Sequence, residues 1–198
     1  MPTAFQKELG TLAHRLADLC ALVAIALEEA TRSVLESDHT LGGRVRDDVA
    51  AIGALGAACE DQACALLALH APREEDLKAV VAAVCTAVDL TRMGGLAREV
   101  AEPRRVPLEV RPALGRLGGH AVAAARALRG LLGGEGDAGL ADAVALAEAA
   151  ERGLREAARG CGAGAAVDVV LLAALYGRFA GTSALIARRA SGFASVGA

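Results

Sequence analysis

The chain has 198 residues and a formal net charge of −3, and no basic block is interleaved with aromatic residues, which argues against nucleic-acid binding. Hydrophobic residues make up 54% of the chain but aromatic residues only 2%, so the core must consist of alanine, leucine and valine. Side chains of this size suit closely packed helices. A chain of this length can form one good-sized domain or two small ones that share a core.

No uninterrupted apolar run approaches the roughly 20 residues that a membrane-spanning helix needs. The longest candidate, residues 19–27, lies between Asp18 and the pair Glu28 and Glu29. The first ten residues lack the charged and then apolar layout of a signal peptide. Five cysteines without CxxC spacing are typical of small buried thiols in a reducing compartment. The sequence therefore predicts a cytoplasmic protein that does not insert into a membrane.

Apolar residues recur at alternating steps of three and four through most of the chain, which is the spacing of a helix that buries one face. On this basis we predict six helices, over roughly residues 5–35, 39–69, 73–101, 113–132, 138–159 and 167–189. No segment alternates strictly enough for a strand. The predicted fold class is all-α.

Polar and glycine-containing segments mark the predicted helix ends. Ser37-Asp38 is predicted to cap the second helix and Asp137 the fifth. Residues 161–166 are predicted to form the last turn, and 191–198 a frayed tail. Three prolines identify residues 103–112 as a linker at the midpoint of the chain.

The second half of the chain repeats the pattern of the first. When Arg92 is aligned with Arg178, equivalent positions match in kind: Val81 with Val167, Val84 with Val170, Met93 with Phe179, Gly95 with Gly181 and Val100 with Ile186. The predicted architecture is therefore two tandem three-helix bundles related by an internal repeat. The first repeat is predicted at 1–102, the linker at 103–112 and the second repeat at 113–198.

This pattern resembles the PhoU family, which are regulators of bacterial phosphate uptake built as two repeated three-helix bundles. The first repeat of that family typically has a proline turn, an Asp-Leu-Arg triplet and, later, a Glu-Arg-Ile-Gly-Asp motif. The corresponding segments here are the turn Ala71-Pro72, the triplet Asp76-Leu77-Lys78 and residues 89–95, with a second-repeat counterpart at 175–181. The resemblance covers nearly the whole chain.

The acidic positions of the family motif are substituted in this chain. The motif places one acid before its arginine and another four residues later, and carboxylates on one helix face can hold hard or borderline cations. Some family members resemble such iron- or zinc-binding proteins. Neither glycine nor threonine supplies a carboxylate, and these residues fill all four positions: Thr91, Gly95, Gly177 and Gly181. The nearby acids that remain are too few and too dispersed to rebuild two multinuclear sites: Asp48, Glu60 and Asp89. We therefore expect no metal site and no cofactor.

Arg92 and Arg178 do match the family motif. One hypothesis is that they form part of a surface that recognises a partner or an anion, and the other is that each pairs with an acid on an adjacent helix. Asp76 and Lys78 of the triplet are the other candidate partner-binding residues. No catalytic residue is assigned, because the histidines share no HxxxH or HxxE spacing and the chain has no phosphate-loop, dinucleotide or nucleophile motif.

The resemblance implies a non-enzymatic regulator of phosphate uptake and phosphate-starvation signalling. It implies an adapter that contacts the ATP-hydrolysing subunit of the phosphate ABC transporter and a phosphate-sensing histidine kinase, represses phosphate-starvation genes and restrains uptake. A homodimer is expected, because family members commonly dimerise. Two alternatives stay open: a metal-binding helical bundle for storage or sensing, and a diverged PhoU paralogue with a different protein partner.

Overall fold

A computed structural model describes residues 3–70 and 73–190, apart from the side chains of His39 and Glu75. Over these residues the chain forms six long helices, one short 3-10 helix at Leu108–Val110 and no strand, which confirms the all-α class. The bounds of the long helices are α1 Ala4–Glu36, α2 His39–Leu69, α3 Glu74–Val100, α4 Arg111–Leu132, α5 Leu140–Ala158 and α6 Ala163–Ala190. The predicted turn Ala71-Pro72 and the predicted tail at 191–198 lie outside the described residues.

The helices form two groups of three that share one core. Helices α1, α2 and α3 each pack on the other two, and so do α4, α5 and α6. The groups are joined because α1 packs on α4 and α3 packs on α6. Buried apolar side chains from all six long helices belong to one continuous cluster. The division into repeats at 1–102 and 113–198 stays a prediction.

Three hydrogen-bonding or steric contacts show that α1 and α4 run antiparallel. The thiol of Cys20 donates to the carbonyl of Ala125 at 3.3 Å, while Thr31, further along α1, lies against Gly118, earlier in α4. At the end of α1, the Leu35 carbonyl accepts from the guanidinium of Arg111 at 2.6 Å. Burial raises the pKa of the Cys20 thiol to about 12, so this cysteine stays a neutral core residue.

Several helix ends follow the predictions and others do not. Asp38 caps α2 by accepting from the backbone N–H and the hydroxyl of Thr40, and these hydrogen bonds lower its pKa. Asp137 was predicted to cap α5, but the N-cap is Gly139, whose φ of 80° is the left-handed conformation that glycine adopts without strain. The carbonyl of Asp137 accepts instead from the N–H of Leu140.

The other corrections concern the segments that join helices. Residues 163–166 belong to the first turn of α6 and not to a preceding turn, and the N–H of Ala166 donates to the carbonyl of Gly162 at 2.9 Å. Pro112 was assigned to the linker but lies in the first turn of α4, where a residue without an N–H loses no helical hydrogen bond. The non-helical part of the linker is therefore shorter than predicted and ends at Pro107.

The expectation that no helix is apolar enough to cross a membrane was wrong as a statement about hydropathy. Among the described helices, α1, α2, α3 and α6 contain 18-residue windows with a mean hydropathy of 1.3 to 1.7 and at most two charged residues. In α1, α3 and α6, half of that window is buried inside the bundle. The shared core therefore accounts for much of this hydropathy. That the chain does not insert into a membrane stays a prediction.

A buried hydrogen bond lies where α1, α4 and α6 meet. The Thr31 hydroxyl donates to the Leu27 carbonyl at 2.7 Å, so the hydroxyl of Tyr176, which lies 2.8 Å from the same Thr31 oxygen, must be the donor to it. Tyr176 is fully buried, which raises its pKa above the ordinary value for tyrosine. On α4 the facing residue is Gly118, and a Cβ there would lie only 2.6 Å from Cγ2 of Thr31.

We predict that Gly118→Ala lowers the free energy of unfolding by about 1–2 kcal/mol, because the added methyl group displaces Thr31 from Tyr176. The neighbouring Gly119 is the matched control, since a Cβ there would have no neighbour within 4 Å. Gly119→Ala is expected to raise stability by about 0.5–1 kcal/mol through helix propensity. Urea unfolding followed by circular dichroism measures both changes. Equal effects of the two substitutions would contradict the close contact.

Candidate functional site

Arg92 shares its acid with a second arginine from another helix. The carboxylate of Asp89, one turn earlier in α3, lies 3.4 Å from Nη1 of Arg92 and 2.8 Å from Nη1 of Arg189 on α6. The side chain of Asp89 is only 12% exposed, that of Arg189 is 29% exposed and that of Arg92 is 75% exposed. The partly buried pair that joins α3 to α6 is therefore Asp89 and Arg189. Arg92 pairs within its own helix, so the hypothesis of an acid on an adjacent helix was wrong for it.

Arg178, the equivalent of Arg92 in the second repeat, has a different environment. Its side chain is exposed, and within the described part of the chain no acid lies at ion-pair distance from it. Its backbone carbonyl accepts from the hydroxyl of Thr182 at 2.8 Å. The guanidinium of Arg178 is therefore available to a carboxylate or phosphate from outside the chain.

Asp76 and Lys78 act locally at the beginning of α3. The Asp76 carboxylate accepts from the backbone N–H of Arg73 at 3.3 Å, and Lys78 pairs with Glu74 at 2.7 Å. The pair of Lys78 and Glu74 is highly exposed, and such pairs add little to stability. Asp76 and Arg92 are 16 residues apart on one straight helix, or about 24 Å at 1.5 Å per residue. The four predicted partner-binding residues are thus not brought together at one point.

The relation between α3 and α6 explains this separation. Asp89 contacts Arg189, whereas the backbone N–H of Arg105, beyond the end of α3, donates to the carboxylate of Asp168, early in α6, at 3.0 Å. Asp89 comes before Arg105 in the chain, but its partner Arg189 comes after Asp168. The order of the contacts is reversed, so α3 and α6 run antiparallel. Equivalent positions early in α3 and α6 therefore lie toward opposite ends of the molecule.

Exposed apolar side chains occur on the third helix of each repeat. Val81 on α3 is 51% exposed and its equivalent on α6, Val167, is 67% exposed. Leu77, one turn before Val81, is 43% exposed, and Leu171, one turn after Val167, is 41% exposed. The spacing of four residues places each pair on one helix face. Each repeat therefore presents a short apolar strip on its third helix that the described residues leave exposed.

Two of the four substituted acid positions of the family motif, Thr91 and Gly177, are packed against neighbouring helices. Thr91 faces Gly56 on α2 so closely that a Cβ on the glycine would lie 2.2 Å from the Thr91 hydroxyl. The space beside Gly177 is filled from α5 by the carboxylate of Glu151, which would lie 2.2 Å from a Cβ there. That carboxylate is already neutralised by Arg155 at 2.7 Å.

The residues at these positions do not fit a multinuclear metal site. Gly95 and Gly181 have open space around them but no ligand atom of their own. Asp89, one of the remaining acids, is paired with arginines. Across the described residues, no group of three or more histidine, cysteine, aspartate or glutamate side chains converges.

Sequence reasoning missed the contacts that fasten the linker. The guanidinium of Arg111 donates to the Leu35 carbonyl and, at 3.1 Å, to the hydroxyl of Ser37, while Arg105 meets Asp168. These partners are 63 to 76 residues apart in the chain. No local signal in the sequence could have paired them, because the pairing depends on which helices meet.

We predict that restoring a carboxylate at Gly177 destabilises the fold and does not create a metal site. Gly177→Glu is expected to lower the free energy of unfolding by about 1–3 kcal/mol, because the new side chain displaces the carboxylate of Glu151 from the space that it fills and places a second carboxylate beside it. Gly181→Glu, at an exposed position with open space, is the control and is expected to change stability by less than about 0.5 kcal/mol.

Urea unfolding with and without added Fe²⁺ or Zn²⁺, together with metal analysis of the purified proteins, measures these effects. The expected result is no metal-dependent stabilisation of the unmodified protein or of either variant. Stoichiometric iron or zinc in the purified protein, or a metal-dependent rise in its unfolding midpoint, would contradict the prediction.

Comparisons with known proteins agree with this architecture. The family described as "PhoU domain" matches residues 16–103. The phosphate-specific transport system accessory protein PhoU homolog 2 of Mycobacterium tuberculosis is 35% identical over 96% of this chain and 95% of its own length. PhoU homolog 1 of Mycobacterium leprae is 34% identical over 96% of this chain and 91% of its own length.

Solved structures share the fold at lower sequence identity. The phosphate transport system regulatory protein PhoU from Streptococcus pneumoniae superposes with a TM-score of 0.80 at 19% identity, and the match covers 96% of each chain. PhoU from Pseudomonas aeruginosa gives a TM-score of 0.77, also at 19% identity, over 96% of this chain and 98% of that one. With relatives 34–35% identical over almost their full length, the chain belongs to the PhoU family.

Proposed function

We propose that this protein is a non-enzymatic accessory regulator of phosphate uptake and phosphate-starvation signalling. The observation that carries the proposal is the full-length match to proteins named as accessory proteins of the phosphate-specific transport system. The match covers both halves of the chain, so the role is proposed for the whole molecule. In this role the protein is cytoplasmic and acts on other proteins, without a reaction of its own.

The partners proposed are the ATPase subunit of the phosphate ABC transporter and a phosphate-sensing histidine kinase. Long helices that expose apolar side chains beside charged ones can lie against a groove in a partner domain. The strips at Leu77 and Val81 and at Val167 and Leu171 supply such faces, one in each repeat. Two such faces on helices that share one core support an adapter that holds two partners or forms a homodimer.

Arg178 is proposed as a contact with an acidic group of the partner. It lies on α6 in the same repeat as the strip at Val167 and Leu171, and its charge has no counterpart in the described chain. Arg92 is proposed as a weaker contact, because Asp89 already neutralises part of its charge. Asp76 and Lys78 are proposed as charged residues beside Leu77, although Asp76 also accepts from the N–H of Arg73 and Lys78 also pairs with Glu74.

One alternative is supported by a specific observation. The acid positions of the family motif are lost and the space is filled by Glu151 and Thr91, so this surface differs from that of family members that retain the acids. A diverged paralogue with the same fold and a different protein partner would have this property. The alternative of a metal-binding storage bundle lacks comparable support from the described side chains.

We predict that the affinity-purified protein recovers the transporter ATPase subunit or the sensor kinase from cells, and that Arg178→Glu reduces recovery about fivefold or more through charge repulsion. Arg152→Glu is the matched control, because Arg152 is an exposed arginine on α5 and is expected to leave recovery unchanged. Immunoblotting for both partners, from cells grown in high and low phosphate, provides the measurement.

Recovery of neither partner in either condition would contradict the proposal and favour the diverged paralogue. Equal losses with Arg178→Glu and Arg152→Glu would contradict the role of Arg178 alone. Circular dichroism of both variants verifies that each remains folded.

A further inference from the structure

Between the two apolar strips, α3 and α6 present a patch to which both repeats contribute the same three positions. On each helix these positions are spaced i, i+3 and i+7, so they share one helix face. All six residues are at least partly exposed. We call them the central patch: Arg92, Gly95 and Glu99 on α3, and their repeat equivalents Arg178, Gly181 and Leu185 on α6.

Antiparallel packing of α3 on α6 arranges the central patch in three rows. The contact of Asp89 with Arg189 sets the level of the two helices. At 1.5 Å per residue, the rows lie about 5, 11 and 16 Å from that contact, toward the end of α3. Each row holds one residue from each helix: Arg92 with Leu185, Gly95 with Gly181, and Glu99 with Arg178. The contact of Arg105 with Asp168 agrees with this register, since Asp168 lies about 15 Å beyond the end of α3, a distance that the residues up to Arg105 can span.

The middle row of the central patch has no side chains. A Cβ at Gly95 or at Gly181 would meet nothing within 4 Å, so the backbones of both helices lie open at the surface there. Glycine permits the close approach of a backbone to a binding partner. A helix from another protein can therefore lie nearer to α3 and α6 at this row than at the rows on either side, where longer side chains project.

The charge around the glycine row is positive on balance. Arg92 lies on one side of it and Arg178 on the other, and Arg189 adds a third, partly exposed guanidinium. The acids here are Asp89, which already contacts two arginines, and Glu99. Arg92 and Arg178 are about 12 Å apart along the helices, which is too far for one compact anion to contact both. The complementary ligand therefore carries at least two separate negative groups.

We propose that the central patch docks an acidic amphipathic helix of the partner protein, laid over Gly95 and Gly181. Its acids pair with Arg92 and Arg178, and an apolar residue beside one of them covers Leu185, which is 41% exposed. Residues i, i+7 and i+11 return to one face of a helix and span about 10 and 16 Å, so the docking helix carries acids 7 or 11 residues apart. This inference rests on the proposed docking function and names the chemistry of the docked segment.

Photo-crosslinking in cells tests this proposal. The photoreactive residue p-benzoylphenylalanine replaces Leu185 and, as a matched control, Leu146, which is 51% exposed on α5 outside the central patch. The Leu185 probe is expected to capture a helical peptide with two acids 7 or 11 residues apart, identified by mass spectrometry, and the Leu146 probe is not. Arg92→Gln and Arg178→Gln are each expected to lower the adduct yield about threefold or more. Arg152→Gln on α5 is expected to leave the yield unchanged. Exchanging charges, with Arg178→Glu and arginine in place of the captured acid, is expected to restore the adduct.

Four results would overturn the proposal: no adduct at Leu185, adducts with lipid only, a captured segment without two acids at this spacing, or an unchanged yield in both arginine variants. These outcomes are distinct from failure of the proposed function. If affinity purification recovers the ATPase subunit or the kinase but Leu185 captures neither, docking on the central patch is wrong and the regulatory role stands. If neither is recovered and Leu185 captures an acidic helix of another protein, the regulatory role fails and docking on the central patch stands.

Discussion

The close antiparallel contact between α1 and α4 is the constraint on which the rest of the structure depends. Each of these helices packs on both other helices of its own group, so the contact between them joins the two groups through their cores. Small side chains allow this close contact between α1 and α4. Gly118 leaves room for Thr31, and the Cys20 thiol reaches the backbone of Ala125. With so few aromatic residues, the core obtains its dispersion energy from short distances between backbones and not from large rings. The few aromatics are placed where they join elements, as Tyr176 does beside Thr31.

This shared core fixes how the two repeats present their surfaces. Because α3 and α6 are antiparallel, equivalent residues such as Val81 and Val167 lie toward opposite ends of the molecule. Two exposed apolar faces on helices that share one core are the physical basis of the proposed adapter role. Close packing also brings Thr91 against Gly56 and places Glu151 in the space beside Gly177. Two of the four positions that carry acids in the family motif, Thr91 and Gly177, are therefore occupied here by contacts with a neighbouring helix.

The sequence was sufficient for the parts of the structure that depend on local periodicity. The bounds of α1 and α2 follow from the apolar spacing, because burial of one helix face has the same period as the helix. The cap of α5 was mispredicted because the N-cap is Gly139 in the left-handed conformation, two residues after Asp137, whose acidic side chain had suggested a cap. The environment of the candidate site was less predictable. Whether Arg92 is neutralised depends on Asp89, and the position of Asp89 depends on Arg189, which is 100 residues away. The small cavity lined by Ser33, Ser37 and Arg104 likewise forms only where α1 meets the residues after α3, so no sequence motif predicts it.

We infer that the two halves of the chain form one cooperative unit through the contact of α1 with α4. Hydrogen exchange of backbone amides across a urea series, measured by mass spectrometry, tests this cooperativity most directly. Helices α2 and α5 report on the two groups separately, because apart from a few weak contacts α2 packs only on helices of the first group and α5 only on those of the second. If the two halves unfold together, peptides from α2 and α5 lose protection from hydrogen exchange at the same urea concentration. Loss of protection in one of them while the other remains fully protected would contradict it, and would mean that the repeats fold as independent domains connected by a linker.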